Sequence, residues 1–500
     1  MKCFYKYNSS WRPTPRKNIL RVLFVSSEIF PLIKTGGLAD VSGALPAALN
    51  GADVDVKCLI PGYSAVLDKV EKQTYLGTLQ VFAHLSCDLI LGVIPNTKVE
   101  VVIIKHPGLF ERDGGPYTHP QGHDWADNPM RFGMLSKVAS LLSLHQPFWN
   151  WVPDIVHCND WQTGLTPYYM KQRGLTQAKS LLSIHNIAFQ GNCDPHWMQA
   201  LELSPQDYQI NGFEFYRQLS FLKAGIVYAD QLSTVSPTYA LEIQTDTFGF
   251  GLQGLLQIRS ADITGILNGI DTDEWNPGAD PYLPHHYTAK NLAGKARIKA
   301  TLQETLHLHV TNKVPLLGVV SRLTHQKGLD LLIESMQELI DLGCQFAILG
   351  GGEKSFEAQF LAFAEQYPNQ VSVTIGYNEP LSHLIMAGAD IFIMPSRFEP
   401  CGLNQLYGLR YGTPPVVSKT GGLADSICHT DDLSIENNTA TGFVIENVNR
   451  MSLLVTIKQA MSRWSDAKTW KKIQKNGMKK DIGWKSSANA YIALYQKLIS

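Results

Sequence analysis

The chain has 500 residues, 44% of them hydrophobic and 17% charged, and its 43 basic and 44 acidic side chains leave a net charge of −1. That length exceeds what one core supports and predicts two or three domains, while the charge balance excludes a large basic face for nucleic acid or for an anionic membrane surface. No apolar run approaches the ~20 residues of a membrane span, and the eight cysteines include no CxxC pair and no His at metal-ligand spacing, which predicts reduced thiols in a cytoplasmic protein and no metal site.

Residues 1–18 (MKCFYKYNSSWRPTPRKN) are basic and lack an apolar h-region, so they read as a short arm and not as a secretory signal. From residue 19 onward, short β-branched runs alternate with helical patterns. They fall at 19–27, 54–60, 99–106, 154–158, 180–186 and 231–236 in the first half. In the second half they fall at 314–321, 345–351, 371–377, 390–396, 414–419 and 442–446. These runs are nearly all apolar instead of alternating, which marks strands buried on both faces of a parallel sheet. Strand–helix alternation places the chain in the α/β class. The pattern thins between 237 and 313, where Gly, Pro and Asn accumulate, and a connection between domains is expected near 262–270. The last stretch, DIGWKSSANAYIALYQKLIS, predicts an amphipathic helix with Ala488, Tyr491, Leu494 and Leu498 on one face.

The heptapeptide KTGGLAD occurs twice, at 34–40 and at 419–425. Each copy follows an apolar run and leads into a helical one. In a parallel sheet such turns lie at the carboxyl ends of strands, where ligands bind. Paired glycines admit a ligand close to the backbone, and the free N–H groups of a helix start attract anions. Two doubly wound domains with such loops facing each other would form a ligand cleft. Two unrelated glycine turns used for tight packing are the alternative.

Seven segments taken together carry a family resemblance. They are KTGGLADVSGALP (34–46), HCNDWQTGL (157–165), SIHNIAFQG (183–191), STVSPTYALEI (233–243), GILNGIDTDEWNP (265–277), SRLTHQKGLDLL (321–332) and PSRFEPCGLNQLYGLRYGTPPVVSKTGGLAD (395–425). In this order they resemble the bacterial-type glycogen synthases and the closely similar starch synthases, from about residue 19 to the C-terminus. The resemblance implies two Rossmann-like doubly wound domains facing across a cleft, the GT-B-type fold. Residues 19–264 would form the acceptor side, 265–480 the nucleotide-sugar side, and 481–500 a helix returning to the first domain. It implies a retaining glucosyltransferase that moves glucose from ADP-glucose to the non-reducing end of an α-1,4-glucan such as glycogen, with no cofactor besides the donor.

Departure of a nucleoside diphosphate from C1 of glucose builds negative charge on the leaving group and oxocarbenium character on the sugar, so the site needs fixed cations and dipoles. The resemblance assigns Arg322 and Lys327 to the donor phosphates and Glu399 to the glucose. It places His185 close to the anomeric carbon and Asp160 against sugar hydroxyls, and it gives Asn268 a polar contact to the donor sugar. Lys34 would reach across from the first domain to the phosphates or the departing sugar, with Gly36 and Gly37 forming the close turn. Asp40 either binds the ribose or answers a helix N-terminus. Tyr377 would stack on the nucleotide base. Cys401, Gly402 and Leu403 would offer backbone N–H groups to the diphosphate. Thr420, Gly421 and Gly422 of the second heptapeptide would line the phosphate and sugar pocket from the other wall, while Lys419 is not given the duty of Lys34.

Three positions depart from the family pattern. Gln162 stands where relatives often carry His, Thr247 in DTFGFGL where they often carry Glu, and Tyr407 where a related E-x7-E pattern has a second Glu. No acidic pair stands out as acid and nucleophile, which suits a front-face mechanism over a glycosidase-like one. The competing readings are a UDP-glucose-using synthase, a silent glucan- or nucleotide-binding relative, and a pyridoxal-phosphate glucan phosphorylase. The intact charged set speaks against silence, and the chain is short for a phosphorylase. Oligomeric state is not legible in the sequence.

Overall fold

The computed structural model describes residues 19–174 and 176–500, and the arm at 1–18 lies outside the described residues. Every apolar run forms a strand, and the strands sort into two large sheets. Across the first, the order is Ile263–Gly265, Gln231–Thr234, Lys179–Ile184, Ile155–Asn159, Arg21–Val25, Asp55–Pro61, Glu100–Lys105, Leu85–Val93 and Glu71–Phe82. It is parallel as far as Glu100–Lys105, and then closes with an antiparallel hairpin. The sequence pattern gave no sign of this hairpin, because its edge strand is exposed over most of its length and carries polar residues where a buried strand has apolar ones.

The second sheet is parallel throughout, in the order Val371–Ile375, Gln345–Gly350, Leu316–Val320, Ile391–Met394, Pro415–Ser418 and Phe443–Ile445. Among the parallel strands of each sheet the winding direction reverses once. The reversal falls between Arg21–Val25 and Ile155–Asn159 in the first, and between Leu316–Val320 and Ile391–Met394 in the second. Loops leaving such neighbouring strands diverge to opposite faces and leave a crevice at the strands' carboxyl ends.

The strand Ile263–Gly265 pairs within the first sheet, which therefore runs one residue past 264. The chain then enters the second domain and returns beside this crossing, where Ile270 N–H donates to the carbonyl of Ile482 at 2.9 Å. The closing helix Trp484–Ile499 packs on the helix Gly37–Asn50 and buries Ala488, Tyr491, Leu494 and Tyr495 in the first domain's core. Each large apolar side chain so removed from water contributes roughly 1.5–3 kcal/mol. The Tyr495 hydroxyl meets His157 Nδ1 at 2.7 Å, and Ser183 Oγ meets Nε2 at 2.6 Å. Burial pushes that imidazole down to about 3, so it is a neutral structural pin. Among the described residues no helix is long and apolar enough to cross a membrane.

Candidate active site

A cleft of about 2150 Å³ lies between the two domains, and the loops from both crevices open into it. From the second domain, the strand Leu316–Val320 delivers Arg322 and Lys327, and the strand Ile391–Met394 delivers Glu399. Lys327 Nζ lies 2.5 Å from Glu399 Oε2, which also accepts Ser396 Oγ at 3.2 Å. Arg322 is exposed to the cleft and forms no ion pair among the described residues. Cys401, Gly402 and Leu403 follow along the same wall ahead of the helix Asn404–Arg410. Gly402 has φ of +71°, which a side chain would strain. The Cys401 thiol is pushed up to about 12 by burial, so it stays protonated and is not a nucleophile. Asn268 is buried with its Oδ1 unpartnered at the cleft lining, where it can accept a hydroxyl. Tyr377 is 81% exposed at the rim, its hydroxyl on Glu379, which leaves the ring face open and excludes a core role.

The first domain supplies the opposite wall. Asp160 follows the strand Ile155–Asn159 with φ of +56°, a conformation that costs an ordinary residue about 1–3 kcal/mol. Its Oδ1 accepts the backbone N–H groups of His185 at 2.7 Å and Asn186 at 3.3 Å, so it fixes the neighbouring loop. Burial raises this carboxyl to about 7, against the pull of those two bonds. His185 Nε2 lies 2.9 Å from Asn159 Oδ1. Because the Asn159 amide nitrogen already donates to Val25 and His157 carbonyls, Oδ1 is the acceptor and His185 carries its proton on Nε2. Burial lowers His185 to about 4, so its ring is neutral at ordinary pH.

The first heptapeptide opens into the same space. Lys34 Nζ is 2.7 Å from Asp40 Oδ1, and burial outweighs that contact to leave the Asp40 carboxyl raised. A methyl group added at Gly36 or Gly37 would meet nothing within 4 Å. These two glycines are therefore not required by packing, and the room beside them is room for a ligand.

The second heptapeptide is placed differently, and the expectation that Thr420, Gly421 and Gly422 line the pocket does not hold. None of them lines the cleft. Gly421, at φ +42°, and Gly422 pack against the backbone of the Glu399–Leu403 wall: added methyls would lie 2.0 Å from the Glu399 carbonyl and 2.3 Å from that of Cys401. The turn's polar groups are used by Glu242 of the first domain, whose Oε1 accepts Thr420 Oγ–H at 2.9 Å and Gly421 N–H at 3.0 Å. Lys419 points away and pairs with Glu446 at 2.8 Å. The same seven letters thus make a cleft-facing turn in one domain and a packing turn in the other.

Two family models match the chain: "Starch synthase catalytic domain" over residues 21–258 and "Glycosyl transferases group 1" over 308–480. A glycogen synthase of Nitrosomonas eutropha is 48% identical over 490 residues, covering 97% of each chain. The chain belongs to the glycogen synthase family. A second relative, from Dechloromonas aromatica, is also 48% identical and covers 96% of this chain and 99% of its own. Among solved structures, the catalytic domain of starch synthase IV from Arabidopsis thaliana, bound to ADP and acarbose, is 31% identical. It covers 96% of this chain and 99% of its own with a TM-score of 0.86. The chain is accordingly a glycosyltransferase of the GT-B-type fold.

Within this family frame the three departures have distinct fates. Gln162 is buried at the cleft lining with its Oε1 unpartnered, an acceptor where an imidazole was expected. Thr247 is exposed, while its neighbours Phe248 and Phe250 pack on Phe398 at centroid distances of 6.0 and 5.8 Å. Tyr407 stacks on Trp275 at 3.6 Å, and Trp275 stacks on His383 at 3.9 Å. No carboxylate belongs in that aromatic pile. His383 is buried between Asp280 at 2.8 Å and Glu379 at 3.4 Å; burial opposes its charge, but the two carboxylates win and raise it to about 9.

Sequence reading also passed over Glu28. It is 3% exposed at the cleft floor, and Oε2 accepts the N–H groups of Thr35 and of Gly36, the latter at 3.2 Å. Its other oxygen takes the Tyr117 hydroxyl. Burial raises its pKa against these bonds. The signal was present as a lone acidic residue in SSEIF, seven positions before Thr35, but nothing in a one-dimensional spacing says that the chain doubles back onto it.

Proposed function

We propose that this enzyme transfers glucose from ADP-glucose to the 4-hydroxyl at the non-reducing end of an α-1,4-glucan, with retention at C1. The reading is carried by one observation: a single cleft receives Arg322 and Lys327 from one domain and Lys34 with the open Gly36–Gly37 turn from the other. That is the charge pattern a departing diphosphate needs. As the bond from C1 to the phosphate oxygen breaks, its electron pair leaves on the diphosphate, held by the Arg322 guanidinium and the Lys327 ammonium. Glu399 faces the sugar and stabilises the positive charge building on the ring. The acceptor oxygen bonds to C1 from the same face, and its proton passes to the leaving phosphate oxygen. His185, neutral and fixed through Nε2–H, adds no positive charge beside the ring. Asp160, Asn268 and Gln162 offer acceptors to sugar hydroxyls. The protein's own cations supply the charge the step needs, and no cofactor is invoked.

The donor assignment is supported by the starch synthase IV relative, whose structure holds ADP, and by the exposed ring of Tyr377. The acceptor assignment rests on relatives named glycogen synthases. We assign 19–264 the acceptor side and 265–480 the nucleotide-sugar side, since the two phosphate cations come from the second. A cytoplasmic location suits the free thiols of all seven described cysteines. The deciding experiment incubates the purified protein with ADP-glucose or UDP-glucose and glycogen. A kcat/KM at least about tenfold higher for ADP-glucose, a preference worth ~1.4 kcal/mol, is expected. Equal or reversed values overturn the donor assignment, and a β-linked product overturns retention.

A further inference from the structure

The segment STVSPTYALEI lends Val235 to the cleft lining, while its one carboxylate is the first domain's hold on the wall that carries Glu399. Glu242 ends the short helix Pro237–Glu242 and reaches the second heptapeptide through Thr420 Oγ and Gly421 N–H. The contact is reciprocal. Asp425, at the other end of that heptapeptide, accepts Thr238 N–H at 2.9 Å and Thr238 Oγ–H at 2.6 Å. Four hydrogen bonds accepted by two carboxylates therefore clamp one short helix of each domain to the other.

The clamp sits directly behind Glu399. Gly422 N–H donates to the Pro400 carbonyl at 3.0 Å, and there is no space for a methyl between Gly421 and Glu399 or between Gly422 and Cys401. Beside it, Phe398 of the second domain inserts between Tyr239 at 5.5 Å and Phe248 and Phe250 of the first. A shift of the Thr420–Gly422 turn cannot be absorbed by side-chain rotation, because backbone meets backbone there. It must move the Glu399–Cys401 segment.

We propose that Glu242 is a positioning residue for the reaction: by holding Thr420 and Gly421 from the opposite domain, it fixes the backbone that presents Glu399 and Gly402 to the sugar and diphosphate. Glu242 itself touches no substrate. The proposal rests on the glucosyl-transfer reading of the cleft. It gives the second heptapeptide its purpose, which is to tie the register of the catalytic wall to the placement of the first domain.

The test measures kcat, KM for ADP-glucose and thermal stability in Glu242→Ala, Glu242→Gln and Thr420→Val, with Glu399→Gln alongside. Sub-ångström to 1 Å misplacement of a catalytic group costs up to about 100-fold in rate, so Glu242→Ala is expected to lower kcat about 10- to 100-fold with donor KM within about threefold. Glu242→Gln retains an acceptor oxygen and should restore kcat to within about threefold. Should the alanine variant not fold, Thr420→Val removes one of the two bonds and should lower kcat by a few-fold at unchanged KM. Wild-type kcat in Glu242→Ala or, failing that, in Thr420→Val overturns the proposal. So does a glutamine variant as slow as the alanine one with a matching loss of thermal stability. If Glu399→Gln turns over normally, it is the reading of the cleft that fails. If it is dead while Glu242→Ala is normal, only the positioning role fails.

Discussion

Lys327 Nζ lies 2.5 Å from Glu399 Oε2, so the candidate phosphate cation is paired directly with the candidate sugar carboxylate. Both side chains are largely buried, and each leaves the other uncompensated if removed. Lys327→Ala is therefore expected to cost about 100- to 1000-fold in kcat, in line with removal of one charge-stabilising donor, and in addition to lower thermal stability by leaving Glu399 uncompensated. Arg322, exposed and without an ion pair among the described residues, lacks that coupling. Arg322→Ala should lower kcat/KM without altering thermal stability. Steady-state kinetics and a melting curve on both variants check this, and equal stability losses would show that the two cations are not differently placed.

The two heptapeptides make a paired experiment. Gly36→Ala and Gly37→Ala place a methyl where nothing lies within 4 Å, so folding is expected to be untouched while donor KM rises. Gly421→Ala drives a methyl to within 2.0 Å of the Glu399 carbonyl at φ +42°, and about 1–3 kcal/mol of stability should go with it. Thermal denaturation should show the second variant melting lower by roughly 3–10 °C and the first pair unchanged.

Asp160 gives a pH signature. Burial raises its carboxyl to about 7, so charge on Asp160 is acquired across neutrality and not near pH 4. If the carboxylate is what grips sugar hydroxyls, kcat/KM should rise through about pH 7 and this limb should vanish in Asp160→Asn. The sign for stability is opposite. A carboxyl raised on folding from 3.8 to about 7 costs the fold stability as pH rises from about 4 through about 7, with the full loss present above it. The asparagine variant, which keeps an acceptor for His185 N–H, should therefore melt higher than the wild type at pH 8.

Much of this architecture was legible because the chemistry was local. Unbroken apolar runs announced the parallel strands, and the residues that follow their carboxyl ends, Arg322, Lys327, Glu399, Asp160 and His185, all line one cleft. What escaped was set by partners far off in sequence. Thr420, Gly421 and Gly422 look identical to their counterparts at 35–37, and only the backbone of Glu399 and the carboxylate of Glu242, 178 residues before Thr420, decide that they are buried. The hairpin Glu71–Phe82 and Leu85–Val93 escaped for a different reason: its exposed edge leaves it without a hydrophobic period. Glu28 became meaningful only once the chain had turned back on it.

His383 supplies a stability switch in the alkaline range. Burial alone would keep it neutral, but Asp280 and Glu379 raise it from 6.5 to about 9. A histidine raised on folding lends stability that is fully present below pH 6.5 and is lost as pH rises through about 9. The melting temperature should fall over that window, and His383→Gln should flatten the dependence. An unchanged slope in the variant would place the alkaline loss elsewhere.

Tyr377 tests how the base is held. Its ring stands at the rim with its hydroxyl tied to Glu379, so the face is presented at a fixed angle. Stacking on a base is worth about 1–3 kcal/mol per ring. The base lies far from the breaking bond, so this contact is equal in ground and transition states and acts on KM, not on kcat. Tyr377→Ala should therefore raise the KM for ADP-glucose roughly 5- to 150-fold at nearly constant kcat, and Tyr377→Phe should stay close to wild type. Loss in the phenylalanine variant as large as in the alanine one would show that the Glu379 tether, and not the ring face, carries the contact. A fall in kcat without a change in KM would put Tyr377 at the reacting sugar instead of the base.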